Sequence, residues 1–157
     1  MLYTITQTPI AEQTIAGIRT RGPVRELGHQ LQRLLAALAA AGVAPTGPPM
    51  ARFFAEEYDE TDTDYEIAVP VAPHEDGSLP DTMGEVRIDV IPAHHAFVTT
   101  HVGPYTGLRN AYAALTAELD ALGYTLAGPP AEVFLRGREA TAASATWQTE
   151  VRFPIAR

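Results

Sequence analysis

A chain of 157 residues, 46% hydrophobic and 19% charged, has the size and composition of one soluble domain with a core of its own. Its formal net charge of −8 disfavours nucleic acid and anionic membrane as partners, since both need clustered positive charge. The absence of cysteine excludes disulfides, thiol nucleophiles and thiolate-bound zinc.

The chain opens on residues of alternating polarity, Met1 to Thr6, with neither a basic nor an apolar signal region, so a cytoplasmic location is expected. Strands are predicted over 2–6 and 14–20. Val24, Leu27, Leu31, Leu34 and Leu38 then step by three and four, which predicts a helix over 23–41 with Pro23 in its first turn and Gly42 ending it. The apolar stretch 31–41 falls short of the roughly 20 residues of a membrane span. Strands follow over 50–57 and 65–71, joined by the acidic run 56–64. That run lacks the central glycine and terminal glutamate of a calcium loop and reads as a solvated connection. A Pro- and Gly-bearing junction, 71–84, leads to strands over 85–91 and 94–101. A second helix over 104–122 ends at Gly123, and strands over 131–137 and 146–155 close the chain. In the last strand Thr149, Val151, Phe153 and Ile155 share one face and Gln148, Glu150 and Arg152 the other. The same alternation sets Tyr65, Ile67, Val69 and Val71 against Asp64, Glu66 and Ala68.

The second half repeats the first. Gly22–Pro23 recurs as Gly103–Pro104, Gly42 as Gly123, and Gly47–Pro48–Pro49 as Gly128–Pro129–Pro130, all at a shift of 81 residues. Leu27, Leu34, Leu38 and Phe53 map in the same register onto Leu108, Leu115, Leu119 and Phe134. Further on the shift becomes 84, laying Tyr65 to Val71 over Thr149 to Ile155. The expected fold is α+β: duplicated β-α-β-β units with pseudo-two-fold symmetry, forming a mainly antiparallel sheet with two long helices on one face. One domain over 1–157 is expected, with repeats at 1–73 and 84–157 and a leading strand added to each half by its own residues.

Three segments carry a resemblance: His101-Val-Gly-Pro-Tyr105, Glu132-Val-Phe134-Leu135, and Trp147 to Ile155 with its Thr-Glu-x-x-x-Pro motif. In this succession the chain resembles the GyrI-like small-molecule-binding domain family, the effector-binding module of AraC- and MerR-type multidrug-sensing transcription regulators. Asp64 to Val71 resembles that family's first repeat. The resemblance implies a ligand cleft between two β-α-β-β units, with a glutamate facing positively charged groups of the ligand. Phe134 stands where the family usually has tyrosine, which removes a hydroxyl and weakens a catalytic reading more than a binding one. No helix-turn-helix segment flanks the domain within the 157 residues, so regulation by this chain alone is not expected.

Glu150 is the first candidate for a ligand-binding carboxylate, because its repeat partner Glu66 is also acidic, Trp147 is close in sequence, and a cation gains more from a carboxylate in a dry cleft. Trp147, Tyr105, Phe134, Tyr112 and Tyr65 are candidates to line the site, since aromatic faces attract cations and flat rings. Tyr112 and Tyr65 also fit plain core positions, and Glu132 fits a strand surface as well as a second acidic site. No His, Asp or Glu cluster has metal-ligand spacing, and no cofactor is expected. Nucleophile elbows and phosphate loops are absent.

The reading that follows is a binding module for amphipathic cationic or planar aromatic small molecules. One alternative is a hydrolase that opens strained electrophilic rings with Glu150 as general base. A second is a topoisomerase-inhibitor-like module with a protein partner on the acidic surface. The residues that break the repeat, Tyr105 for Val24 and Trp147 for Thr63, mark where an asymmetric site is expected.

Overall fold

In the computed structural model, which describes residues 3–55, 57–80, 82–137 and 143–157, both helices start one turn later than their sequence pattern. Pro23 and Pro104 are extended, with ψ of 138° and 156°. Each is followed by a 3₁₀ turn, Val24–Glu26 or Tyr105–Gly107, before the α-helix proper: α1 (Leu27–Ala40) or α2 (Leu108–Leu122). Gly42 and Gly123 then take positive φ of 71° and 74°, the left-handed conformation that ends a helix without a Cβ penalty. Among the described residues no helix is long and apolar enough to cross a membrane.

The chain divides into two units, Glu12–Pro92 and a second made of Met1–Ala11 with Ala93–Arg157. The contiguous unit holds β2 (Gln13–Gly22), β3 (Met50–Phe53), β4 (Thr63–Pro70), β5 (Thr82–Met83) and β6 (Val86–Ile91), paired in the order β3-β4-β2-β6-β5. The other holds β1 (Thr6–Ile10), β7 (His94–Val102), β8 (Thr125–Leu126), β9 (Ala131–Arg136) and β10 (Gln148–Ala156), in the order β1-β7-β10-β9 with β8 beside the end of β10. Every pair within each unit is antiparallel. In the contiguous unit α1 turns Leu31, Leu34 and Leu38 into the core against β4. In the second, Leu108, Ala111, Leu115 and Leu119 of α2 meet Phe97, Val151, Phe153 and Ile155.

The repeat holds at the level of single hydrogen-bonded pairs. Thr20 faces Tyr65, and His101 faces Thr149; Phe53 faces Tyr65, and Phe134 faces Thr149. The leading strands depart from expectation. The first forms at Thr6–Ile10, not over 2–6, and pairs with β7 of the second half; Met1 and Leu2 lie outside the described residues. Reciprocally, β6 pairs with β2 of the first half, so each half lends its leading strand to the other. Pro9 sits within β1 because an edge strand can forgo one N–H. The links Ala11–Glu12 and Pro92–Ala93 lack the glycine or asparagine of a two-residue hairpin, and no described non-glycine residue has positive φ. The chain therefore continues into the other unit at both places where it might have reversed.

Three smaller expectations are corrected. β3 stops at Phe53, short of the predicted 57, and Glu56 lies outside the described residues. β10 begins at Gln148 because Ser144–Thr146 forms a 3₁₀ turn. Glu66 and Ala68 are buried although their face of the strand reads as polar. The acidic hairpin is partly neutralised from within: Arg19 makes a two-pronged bond to Asp64 (3.0 and 2.8 Å), and Arg21 pairs with Asp62 at 3.2 Å.

Two helix-start glycines differ in a testable way. A Cβ on Gly107 would lie 2.7 Å from Cε1 of the buried His101, whereas one on Gly28 would meet nothing within 4 Å. Gly107→Ala should cost about 1–3 kcal/mol by overpacking, and Gly28→Ala should gain about 0.5–1 kcal/mol through helix propensity. Urea unfolding of the two variants checks the pair, and equal midpoints would contradict it.

Candidate functional site

Two rows of side chains cross the helix-covered face of the second unit's sheet. One is His101–Thr149–Phe134, the other Thr99–Val151–Glu132, each drawn from β7, β10 and β9. Glu132 stands at the end of its row under α2, only 9% exposed, and accepts a 2.6 Å hydrogen bond from the Tyr112 hydroxyl. Among the described residues no arginine or histidine reaches it at ion-pair distance. Burial pushes its carboxyl up to about 7, and the phenol donor holds it below where burial alone would put it. Near neutral pH this group is poised between a hydrogen-bonding acid and a carboxylate without a counter-ion.

Aromatic rings gather beside it. Phe134 is two residues along the same strand face, about 6–7 Å away by strand rise. The Tyr105 ring lies 5.9 Å from Phe134 and 4.6 Å from Trp147, tilted 35° to the indole. Tyr112 also packs on Phe153 at 5.5 Å between centroids. Thr149, fully buried between His101 and Phe134, has a hydroxyl without a hydrogen-bond partner among the described residues, as has the equally buried Thr63 of the first unit.

The first unit shows what the same framework looks like as plain core. Ala51 stands in place of Glu132, Leu31 of Tyr112, Val24 of Tyr105, Thr63 of Trp147 and Ile18 of Thr99. Tyr65, fully buried, fills the space that Thr149 leaves. Only Phe53 keeps its partner's type. The carboxylate, two phenols, the indole and the small Thr149 are therefore additions to a common scaffold and not requirements of it.

The sequence pattern of the GyrI-like small molecule binding domain matches residues 3–156. The chain belongs to the GyrI-like family. This GyrI-like domain is similar over its whole length to the C-terminal domain of EcmrR, with 28% identity, a TM-score of 0.90 and 99% of that chain covered. It spans 59% of the EcmrR chain in an EcmrR–DNA complex. A hydrolase from Listeria innocua shares the fold at 14% identity and a TM-score of 0.72, with 97% of this chain and 91% of that one covered. So does SAV2435 bound to tetraphenylphosphonium, at 15% identity and a TM-score of 0.63, with 99% and 94% covered. Comparison with curated protein sequences finds no match.

The GyrI-like scaffold brings together five of the residues singled out in the sequence: Tyr105, Tyr112, Glu132, Phe134 and Trp147. It does not bring Glu150 to them. Glu150 lies on the opposite face of the sheet, in a row with Thr100 and Val133, and Arg152 Nε donates to it at 2.5 Å. Glu150 also lines a depression of about 480 Å³, together with Tyr3, Thr4, Thr6, Val98, Thr99, Thr100 and Val102. Glu66 and Tyr65 belong to the first unit. Glu66 is buried against Arg52, whose Nε donates at 2.7 Å, and a Cβ on Gly17 would come within 3.0 Å of its carboxyl. Tyr65 is wholly in the core, where burial raises its phenol pKa. Thr149 and His101, in the same rows, were not among the ligand-site candidates; what sets the first apart in the sequence is Tyr65 at the equivalent repeat position. Among the described residues no three His, Asp or Glu side chains are grouped to hold a metal.

Proposed function

We propose that this small-molecule-binding domain takes amphipathic cations bearing aromatic rings, with the positive charge held at Glu132 and the rings against Tyr105, Phe134 and Trp147. A single observation carries the reading: Glu132 is a buried carboxylate with a phenol partner and, among the described residues, no cation at ion-pair distance. An ionised carboxylate out of water is costly until a cation joins it, so a positively charged ligand gains at this position what it would not gain on the surface. Each aromatic face adds about 0.5–2 kcal/mol toward a cation. Glu132 here takes the charge role that the sequence suggested for Glu150, because Arg152 already neutralises Glu150.

The test compares tetraphenylphosphonium with neutral triphenylphosphine oxide at pH 8, read through Trp147, the sole tryptophan. The cation should quench Trp147 and bind at least tenfold tighter than the neutral compound, and Glu150→Gln should leave that ratio within about twofold, as expected for a charge already paired. Equal affinity for the two compounds would sink the charge role.

The contact between Glu132 and the Tyr112 hydroxyl also favours a second reading, ring-opening hydrolysis, since a carboxyl near 7 beside a phenol is a matched acid–base pair. Tyr112 then supplies the hydroxyl that Phe134 lacks. Incubation with a cyclopropane-bearing electrophile and mass spectrometry for the hydrated product decides between binding alone and turnover.

A further inference from the structure

We propose that His101 is a positioning residue for the ligand site, fixing the turn that presents Tyr105 to Trp147. The inference rests on the reading that those two rings receive the ligand.

His101 is 3% exposed on the helix-facing side of β7. Its Nε2 lies 3.0 Å from the Pro104 carbonyl, which can only accept, so Nε2 carries the proton. Nδ1 is then the acceptor for the Tyr3 hydroxyl at 2.8 Å. Both ring nitrogens are committed, and the imidazole has one tautomer and one orientation. The Pro104 carbonyl also accepts from Gly107 N–H at 3.1 Å, closing the 3₁₀ turn that contains Tyr105. One residue before Pro104, Gly103 N–H donates to the Trp147 carbonyl at 2.8 Å. The segment 103–107 is thus tied to the Trp147 backbone at one end and to His101 at the next residue, with Tyr105 following directly.

The first unit serves as an internal control. It builds the same turn, Val24–Glu26, closed by Glu26 N–H on the Pro23 carbonyl at 3.1 Å, with Thr20 in place of the histidine. The histidine is not needed to make the turn. It occurs where the turn carries an aromatic ring in place of Val24. Gly107 makes room for it, since any Cβ there would strike the imidazole at 2.7 Å, and its counterpart in the first unit is Glu26. A group that serves only the fold would be expected in both copies.

A double-mutant cycle tests this. His101→Phe keeps the ring volume and removes the donor; His101→Gln restores a donor that reaches Pro104; Tyr3→Phe frees Nδ1 alone. In the unliganded protein, His101→Phe should change Trp147 emission, and His101→Gln should return it toward wild type. In a Tyr105→Ala background neither substitution should alter emission further, because the ring being positioned is gone. Affinity for tetraphenylphosphonium should fall about tenfold in His101→Phe, the equivalent of one lost buried hydrogen bond, and should fall no further when combined with Tyr105→Ala. Unchanged emission in a folded His101→Phe, or equal effects with and without Tyr105, overturns the proposal. Should His101→Phe fail to fold, Tyr3→Phe is read in the same cycle with the same two outcomes. A wild-type protein that ignores the cation defeats the ligand reading, while the emission cycle still decides the role of His101.

Discussion

Glu132→Gln should lower affinity for tetraphenylphosphonium at pH 8 by at least roughly thirtyfold and leave affinity for triphenylphosphine oxide nearly unchanged. Truncating one partner of a buried charge pair typically costs about 2–5 kcal/mol, or roughly thirtyfold to several thousandfold. Glutamine is close to isosteric, and its carbonyl oxygen can still accept from Tyr112, so packing beneath α2 should survive. The same substitution should make the unliganded protein more stable at pH 8, because it removes a carboxylate that is ionised and unpaired there. Opposite signs for binding and stability distinguish a charge kept for a ligand from one kept for the fold. Calorimetric titration and urea unfolding of the two proteins supply both numbers; a loss of stability together with binding would assign Glu132 to the structure instead.

The second large effect is on pH. Burial raises the Glu132 carboxyl from its ordinary 4.5 to about 7 in the folded protein. Between those values the folded state holds a proton that the unfolded state has released. This contribution to stability is therefore complete below 4.5 and is lost as pH rises through 7. Its size is on the order of 3 kcal/mol, and it should vanish in Glu132→Gln. Asp59, Asp64 and Asp76, whose hydrogen bonds hold them below the usual carboxylate range, act with the opposite sign and only under more acidic conditions, so the two windows separate. Binding of a permanent cation should follow the ionised fraction: flat above about pH 7 and falling close to tenfold per pH unit below it. Cation binding near pH 6 should release a proton, measurable by calorimetry in buffers of different ionisation enthalpy. Binding independent of pH from 5.5 to 8 would show that Glu132 does not face the charge.

Periodicity and the repeat were enough to read the two helices and the antiparallel sheets. Glu150 stands apart from the aromatic candidates for a reason that strand geometry makes plain. Trp147 and Glu150 are three residues apart in extended chain, which sets them on opposite faces; closeness in sequence counted for less than parity. The repeat also singles out Glu132 and Thr149, since the first half has Ala51 and the larger Tyr65 at those positions. The exchange of leading strands was not legible, because pairing between distant segments depends on competition among edges and not on local pattern. What local chemistry did offer was negative: Ala11–Glu12 and Pro92–Ala93 lack the residues of a tight reversal.

That exchange sets an order of assembly. Glu12–Pro92 is one uninterrupted stretch, and all its own strands are on hand as soon as β6 has left the ribosome. The second unit is not complete so early. Its edge strand β1 and the Tyr3 that orients His101 are made first, then wait through the whole of the other unit for β7 to arrive. Closing so long a gap costs little more at equilibrium than closing a short one, because the entropy grows only with the logarithm of loop length. In time the cost is larger: the second unit is the last part of the nascent chain to become complete, and until then β1 is a free edge.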